Sequence, residues 1–118
     1  MEKYELLKVE KCVTIQDRKE QEDMELGEEL RFELMASMMC ADYAHLEREV
    51  RQLEDGGIDS FHIDIMDGRY VHNFAMSLND LICIRSLTKK PLDVHLMVEH
   101  PINTIDLFIH ALNPGDTI

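Results

Sequence analysis

Three short apolar runs, each followed by a segment of helical periodicity, dominate residues 32–118. "RFELMASMM", "DSFHIDIM" and "PLDVHLMV" are rich in Phe, Ile, Val, Leu and Met and have the length of buried strands. "DYAHLEREVRQLEDGG" reads as a helix, with Tyr43, Leu46, Val50 and Leu53 at helical spacing, Asp42 as its N-cap, and Gly56 and Gly57 as its stop. "SLNDLICIRSLTKK" is a second helix, with Ser77 as cap and Cys83 on its buried face. "HPINTIDLFIHALNPG" is a third, beginning near Pro101 and ending at Pro114 and Gly115. Pro91 opens the third strand, a position that needs no donated ladder bond. "DTI" at the end reads as the start of a fourth strand. The order βαβαβαβ with short connections demands parallel strands joined by right-handed crossovers. A small open sheet and the first half of a (β/α)8 barrel both satisfy it.

Residues 1–31 do not share this pattern. "DRKEQEDMELGEEL" is charged, mixed in sign and poor in large apolar groups. Asp17 and Glu20 have capping-box spacing, so a solvated surface helix is expected in this extension. The division is therefore a charged extension over 1–31 and an α/β unit over 32–118.

The 118 residues carry a formal charge of -12, which disfavours a nucleic-acid backbone or an anionic membrane as a general partner. A phosphorylated metabolite remains compatible, because a local helix N-terminus or basic group can hold one. Cys12, Cys40 and Cys83 are odd in number and widely spaced, which fits a reducing compartment. With no apolar run of membrane-spanning length and no signal-peptide core, a cytoplasmic protein is expected.

The stretch "FHIDIMDGRYVHNF" concentrates the chemistry. His62 and Asp64 share one face of the second strand, and Asp93, His95 and Met97 share a face of the third. Neighbouring parallel strands can aim His62, Asp64 and His95 at one point. Two imidazoles and a carboxylate suit a divalent transition metal, although a strand histidine often serves only as a hydrogen-bonding structural residue. Met38, Met39, Met66 and Met97 could form an apolar lid over such a site or simply fill core. His45, His100 and His110 fall in helical segments and are expected at the surface.

"MASMMCADYAHLEREVRQLEDGGIDSFHIDIMDGRYVHNFAMS", followed by "KPLDVHLMVEHP", resembles the N-terminal half of the ribulose-phosphate 3-epimerases. The allulose-6-phosphate 3-epimerases are similar too, and Cys40 leans toward that branch. H-x-D-x-M-D-G with D-x-H-L-M a helix later is the specific combination. The resemblance implies a (β/α)8 barrel with its site at the C-terminal ends of the strands. It makes His62, Asp64 and His95 three of four ligands to a divalent metal (zinc, iron, manganese or cobalt). It makes Asp64 one of two acid/base groups, Ser37 and His95 substrate-contacting residues, and Met66 and Met97 caps over the reacting carbons. The implied reaction inverts C3 of a ketose phosphate through an enediolate, taking D-ribulose 5-phosphate to D-xylulose 5-phosphate.

A barrel of this kind needs about 250 residues. The family's second acid, fourth ligand and Gly-rich phosphate grip belong to its later half. The expectation is thus a truncated chain of weak or no turnover, completed by a missing C-terminal half or by a homo-oligomer. Two other readings stand beside it: a non-catalytic half-barrel that binds a metal or partner, and a barrel enzyme acting on another sugar phosphate.

Overall fold

The computed structural model describes residues 32–118; the segment 1–31, with the surface helix expected there, lies outside the described residues. Three parallel strands, β1 (Met35–Ser37), β2 (Ser60–Met66) and β3 (Leu92–Met97), lie side by side in sequence order. The helices α1 (Leu46–Asp55), α2 (Leu78–Leu87) and α3 (Ile105–Ile109) follow them in turn. The expected fourth strand is a single parallel bridge between Asp93 and Thr117. It is closed by Val94 N donating to Thr117 O and Thr117 N donating to Leu92 O, both at 2.9 Å. These are consecutive βα units of a parallel sheet, as in an arc of a (β/α)8 barrel.

Successive side chains of the strands point to opposite faces. Phe61, Ile63 and Ile65 of β2 and Leu92 and Val94 of β3 are buried in one cluster with Val50 of α1, Leu81 and Ile84 of α2, and Phe108 of α3. Fully burying a side chain of this size contributes about 1.5–3 kcal/mol. The helices thus take one face of the sheet, and the residues between these, Ser60, His62, Asp64 and Met66, are left for the other face.

Several elements differ from expectation for visible reasons. The run "RFELMASMM" gives only three strand residues, because the chain tightens into a 3-10 turn over Met38–Cys40 closed by Ala41 N on Met38 O. Met38 is fully buried in the core cluster, so it is not part of a lid, while Met39 is exposed. Asp42 does act as a cap, accepting from Ala44 N at 3.0 Å, but of a 3-10 turn over Tyr43–His45. The α-helix proper starts at Leu46, and Tyr43 is left exposed at the head of the stripe. Cys83 is exposed, contrary to expectation; Leu81 and Ile84 hold the buried face of α2. The third helix is a 3-10 turn, Pro101–Asn103, followed by only five α residues. His45, His100 and His110 are exposed as expected.

Polar ties lock the units together. Ser77 and Asp80 form a reciprocal capping box at the start of α2. At its far end Arg85 donates to both oxygens of Asp116 at 2.9 and 3.0 Å, and to the carbonyls of Thr88 and Lys90. Asp116 also accepts from the backbone N–H groups of Leu92 and Asn113. One nearly buried carboxylate therefore joins α2, the start of β3 and the chain beyond α3.

Candidate functional site

The face of the sheet away from the helices carries its polar side chains in rows set by strand register. Ser37 pairs with His62, His62 with Asp93, and Asp93 with Thr117, so one row crosses all strand positions. Two residues further along, roughly 6.6 Å in a parallel strand, Asp64 pairs with His95. Two further again, Met66 pairs with Met97 at the C-terminal ends.

The polar side chains of these rows are linked by hydrogen bonds and one close ion-pair contact. Ser37 Oγ donates to Asp64 Oδ2 at 2.8 Å. Asp64 Oδ1 lies 3.1 Å from His62 Nε2 and 3.4 Å from His95 Nδ1. The other nitrogen of His62, Nδ1, lies 2.7 Å from Asp93 Oδ2. The Thr117 hydroxyl donates to Asp93 Oδ1. Asp64 is almost buried, with 12 % of its side chain exposed, whereas 54 % of the His95 side chain is open to solvent. A carboxylate in that position requires partners, and three side chains provide them. The rings of His62 and His95 are tilted by 52° with centroids 5.6 Å apart, so both edges converge on Asp64 rather than stacking.

This geometry fits a metal. His62, Asp64 and His95 each offer one ligand atom, and those atoms lie within 4.8 Å of one another. Two imidazole nitrogens and one carboxylate oxygen form a borderline donor set suited to a first-row transition ion, with room for further ligands on the open side of His95. Met66 and Met97, both half-buried, sit one row beyond Asp64 and His95, where they border the site from the strand ends.

The turn beyond β2 is fixed in place by Asp67. Its carboxylate accepts from the backbone N–H groups of Glu99, Arg69 and Tyr70 at 2.8 to 3.0 Å. Those bonds, that from Glu99 foremost, hold the group down at about 2, well under the ordinary carboxylate value. Because Glu99 follows β3, Asp67 ties the exits of β2 and β3 to each other, and Arg69 adds an ion pair to Glu99 at 3.1 Å. Gly68 turns the chain with φ of 74°, where a Cβ would come within 2.5 Å of the Phe74 ring. The loop closes when Met76 N donates to the Asp64 carbonyl at 3.0 Å.

All five residues singled out on the second and third strands therefore lie on one face, and Ser37 joins them from β1. Asp93 and Thr117 are part of the same network. Sequence reasoning placed Asp93 on the face of His95 but gave it no role. The available signal was the register: an H-x-D strand beside a D-x-H strand sets each acid next to an imidazole.

Residues 33–114 match the model of the ribulose-phosphate 3 epimerase family. The chain is similar to the ribulose-phosphate 3-epimerase of Methanocaldococcus jannaschii, 40% identical over 83 residues, which cover 70% of this chain and 34% of that protein. It is 43% identical to the Bacillus subtilis ribulose-phosphate 3-epimerase over 75 residues, 64% of this chain and 35% of the relative. With the chloroplastic ribulose-5-phosphate-3-epimerase of Arabidopsis thaliana it shares 39% identity over 75 residues, 64% and 27% of the two chains. The chain thus spans about a third of the length of the curated relatives it matches. No helix among the described residues is long and apolar enough to cross a membrane.

Proposed function

The chain belongs to the ribulose-phosphate 3 epimerase family, and from that premise we propose that its site removes the C3 proton of a ketose phosphate, with Asp64 as the base. The observation that carries this reading is the divided environment of the Asp64 carboxylate. Both imidazole contacts fall on Oδ1, while among the described residues Oδ2 accepts only the neutral Ser37 hydroxyl. Oδ2 is therefore the oxygen left to take a proton. As the C3–H bond breaks, its electron pair moves toward C2 and the C2 carbonyl gains negative charge, giving an enediolate. Ser37 keeps the base in place, His95 presents its exposed edge to the substrate oxygens, and Met66 and Met97 exclude water from the reacting carbons. His62, Asp64 and His95 would hold a divalent metal, which supplies positive charge where the oxyanion develops.

Inversion needs a second acid on the opposite face of C3. Asp93 is engaged by both His62 and Thr117 and does not serve; the family resemblance assigns that group to the later half of the barrel. The substrate we infer first is D-ribulose 5-phosphate, in line with the ribulose phosphate of the relatives' names, and the odd, widely spaced cysteines suit action in the cytoplasm. A non-catalytic half-barrel that binds a metal or partner is the second reading, favoured by the convergence of the His62, Asp64 and His95 ligand atoms within 4.8 Å, which suffices for binding alone.

The deciding experiment incubates the 118-residue chain with D-ribulose 5-phosphate and Co2+ in deuterium oxide and follows C3 by NMR. We expect deuterium to enter C3 with little xylulose 5-phosphate formed, and Asp64→Asn to abolish the exchange. Metal binding with no exchange at C3 would overturn the catalytic reading in favour of the second one.

A further inference from the structure

We propose that Asp93, itself held by Thr117, is a positioning residue that fixes which nitrogen His62 presents to the site. The inference rests on the reading of His62, Asp64 and His95 as metal ligands. An imidazole on a strand rotates in a broad, roughly two-fold well about its last side-chain bond, so backbone register alone leaves open which nitrogen faces Asp64. Asp93 Oδ2 removes that freedom by lying 2.7 Å from Nδ1, which leaves Nε2 directed at Asp64 Oδ1. Asp93 lies outside the set of convergent ligand atoms, so it acts through His62.

The carboxylate is itself prevented from turning. Its other oxygen, Oδ1, accepts from the Thr117 hydroxyl. Thr117 is in turn placed by two backbone bonds that straddle Asp93, one from its N–H to Leu92 O and one to its carbonyl from Val94 N–H. Thr117, Asp93 and His62 are neighbours in a single row of the sheet. The result is a relay of orientation from the fourth strand position, through a carboxylate, to the ligand. A metal-binding histidine whose second nitrogen meets a carboxylate is a better-oriented ligand, and loss of such a partner typically lowers metal affinity by roughly 10–100-fold.

The test titrates the metal-free 118-residue chain with Co2+ and reads affinity and coordination geometry from the visible spectrum. Asp93→Asn removes the charge and lets the amide either donate to or accept from Nδ1. Thr117→Val keeps the charge of Asp93 and removes only the hydroxyl that steadies it, so it also carries the test if Asp93→Asn does not fold. We expect Asp93→Asn to bind Co2+ roughly 10–100-fold more weakly with an altered band, and Thr117→Val to weaken binding several-fold with a change in the same direction. Unchanged affinity and spectrum in both would overturn the positioning role. Weakening in Asp93→Asn with Thr117→Val fully unaffected would also overturn it, since the carboxylate would then act by charge alone. Failure of the unsubstituted chain to take up Co2+ would instead remove the metal reading on which the inference stands.

Discussion

Asp64 and Asp67 are three residues apart, both acidic, and opposite in use. Asp64 is spread among Ser37, His62 and His95 on the open face of the sheet, whereas all three contacts of Asp67 come from backbone N–H groups. Under the proposed reading, replacing Asp64 by Asn removes a base and a metal ligand together. Such a change typically costs 10²–10⁴-fold in proton transfer, so C3 exchange should fall below detection while the far-ultraviolet circular dichroism stays that of the parent. Asp67 gives a different signature. Its folded value of about 2 lies below its unperturbed 3.8, so its contribution is complete above about pH 4 and is lost as pH falls toward 2. The amide resonance of Glu99 should titrate through that low window, and Asp67→Ala should abolish the step. The convergence of His62, Asp64 and His95 was legible because H-x-D and D-x-H obey the two-residue strand period. The sequence did not reveal that Asp67 secures a turn, since nothing local to it announces Glu99, 32 residues away, as its partner.

At the scale of the elements, termini with local chemistry were readable and termini set by packing were not. Ser77 was legible as a cap because its partner Asp80 is three residues on. Ser77→Ala should cost about 1 kcal/mol in urea unfolding, with a similar loss from Asp80→Ala and little further loss when the two are combined. The start of α1 was misplaced because Asp42 caps a 3-10 turn before the helix, which a four-residue motif cannot distinguish from a helical first turn. Gly68 shows an element held by a single atom's absence. Gly68→Ala places a methyl group into the ring of Phe74 at a positive φ, and it should destabilise by about 1–2 kcal/mol from the backbone conformation alone. Adding Phe74→Ala should recover only the part due to collision, which the double-mutant cycle measures.

For the molecule as a whole, the α/β class and the parallel order followed from the alternation of periods, but its long-range ties did not. Arg85 and Asp116 are unremarkable in sequence and meet only because α2 and the end of the chain converge on the start of β3. Their side chains are 11 % and 2 % exposed, so Asp116→Ala leaves a nearly buried guanidinium without its counter-charge, held by the Thr88 and Lys90 carbonyls alone. Loss of about 3–5 kcal/mol is expected, enough to lower the melting temperature by well over 10 °C, measured by calorimetry. A bound divalent ion should act in the other direction, adding about 2.7 kcal/mol at a hundred times its dissociation constant; His95→Ala should remove most of that gain. One strand links these two scales. β2 is divided by parity: its odd residues belong to the helices and its even residues to the polar rows. A slip of one residue would turn Phe61 and Ile63 to the open face and bury His62 and Asp64 beneath the helices. Misfolding and loss of the polar cluster are thus the same event, and whatever selects for a chain that stays folded also selects for one whose acid and imidazoles share a face.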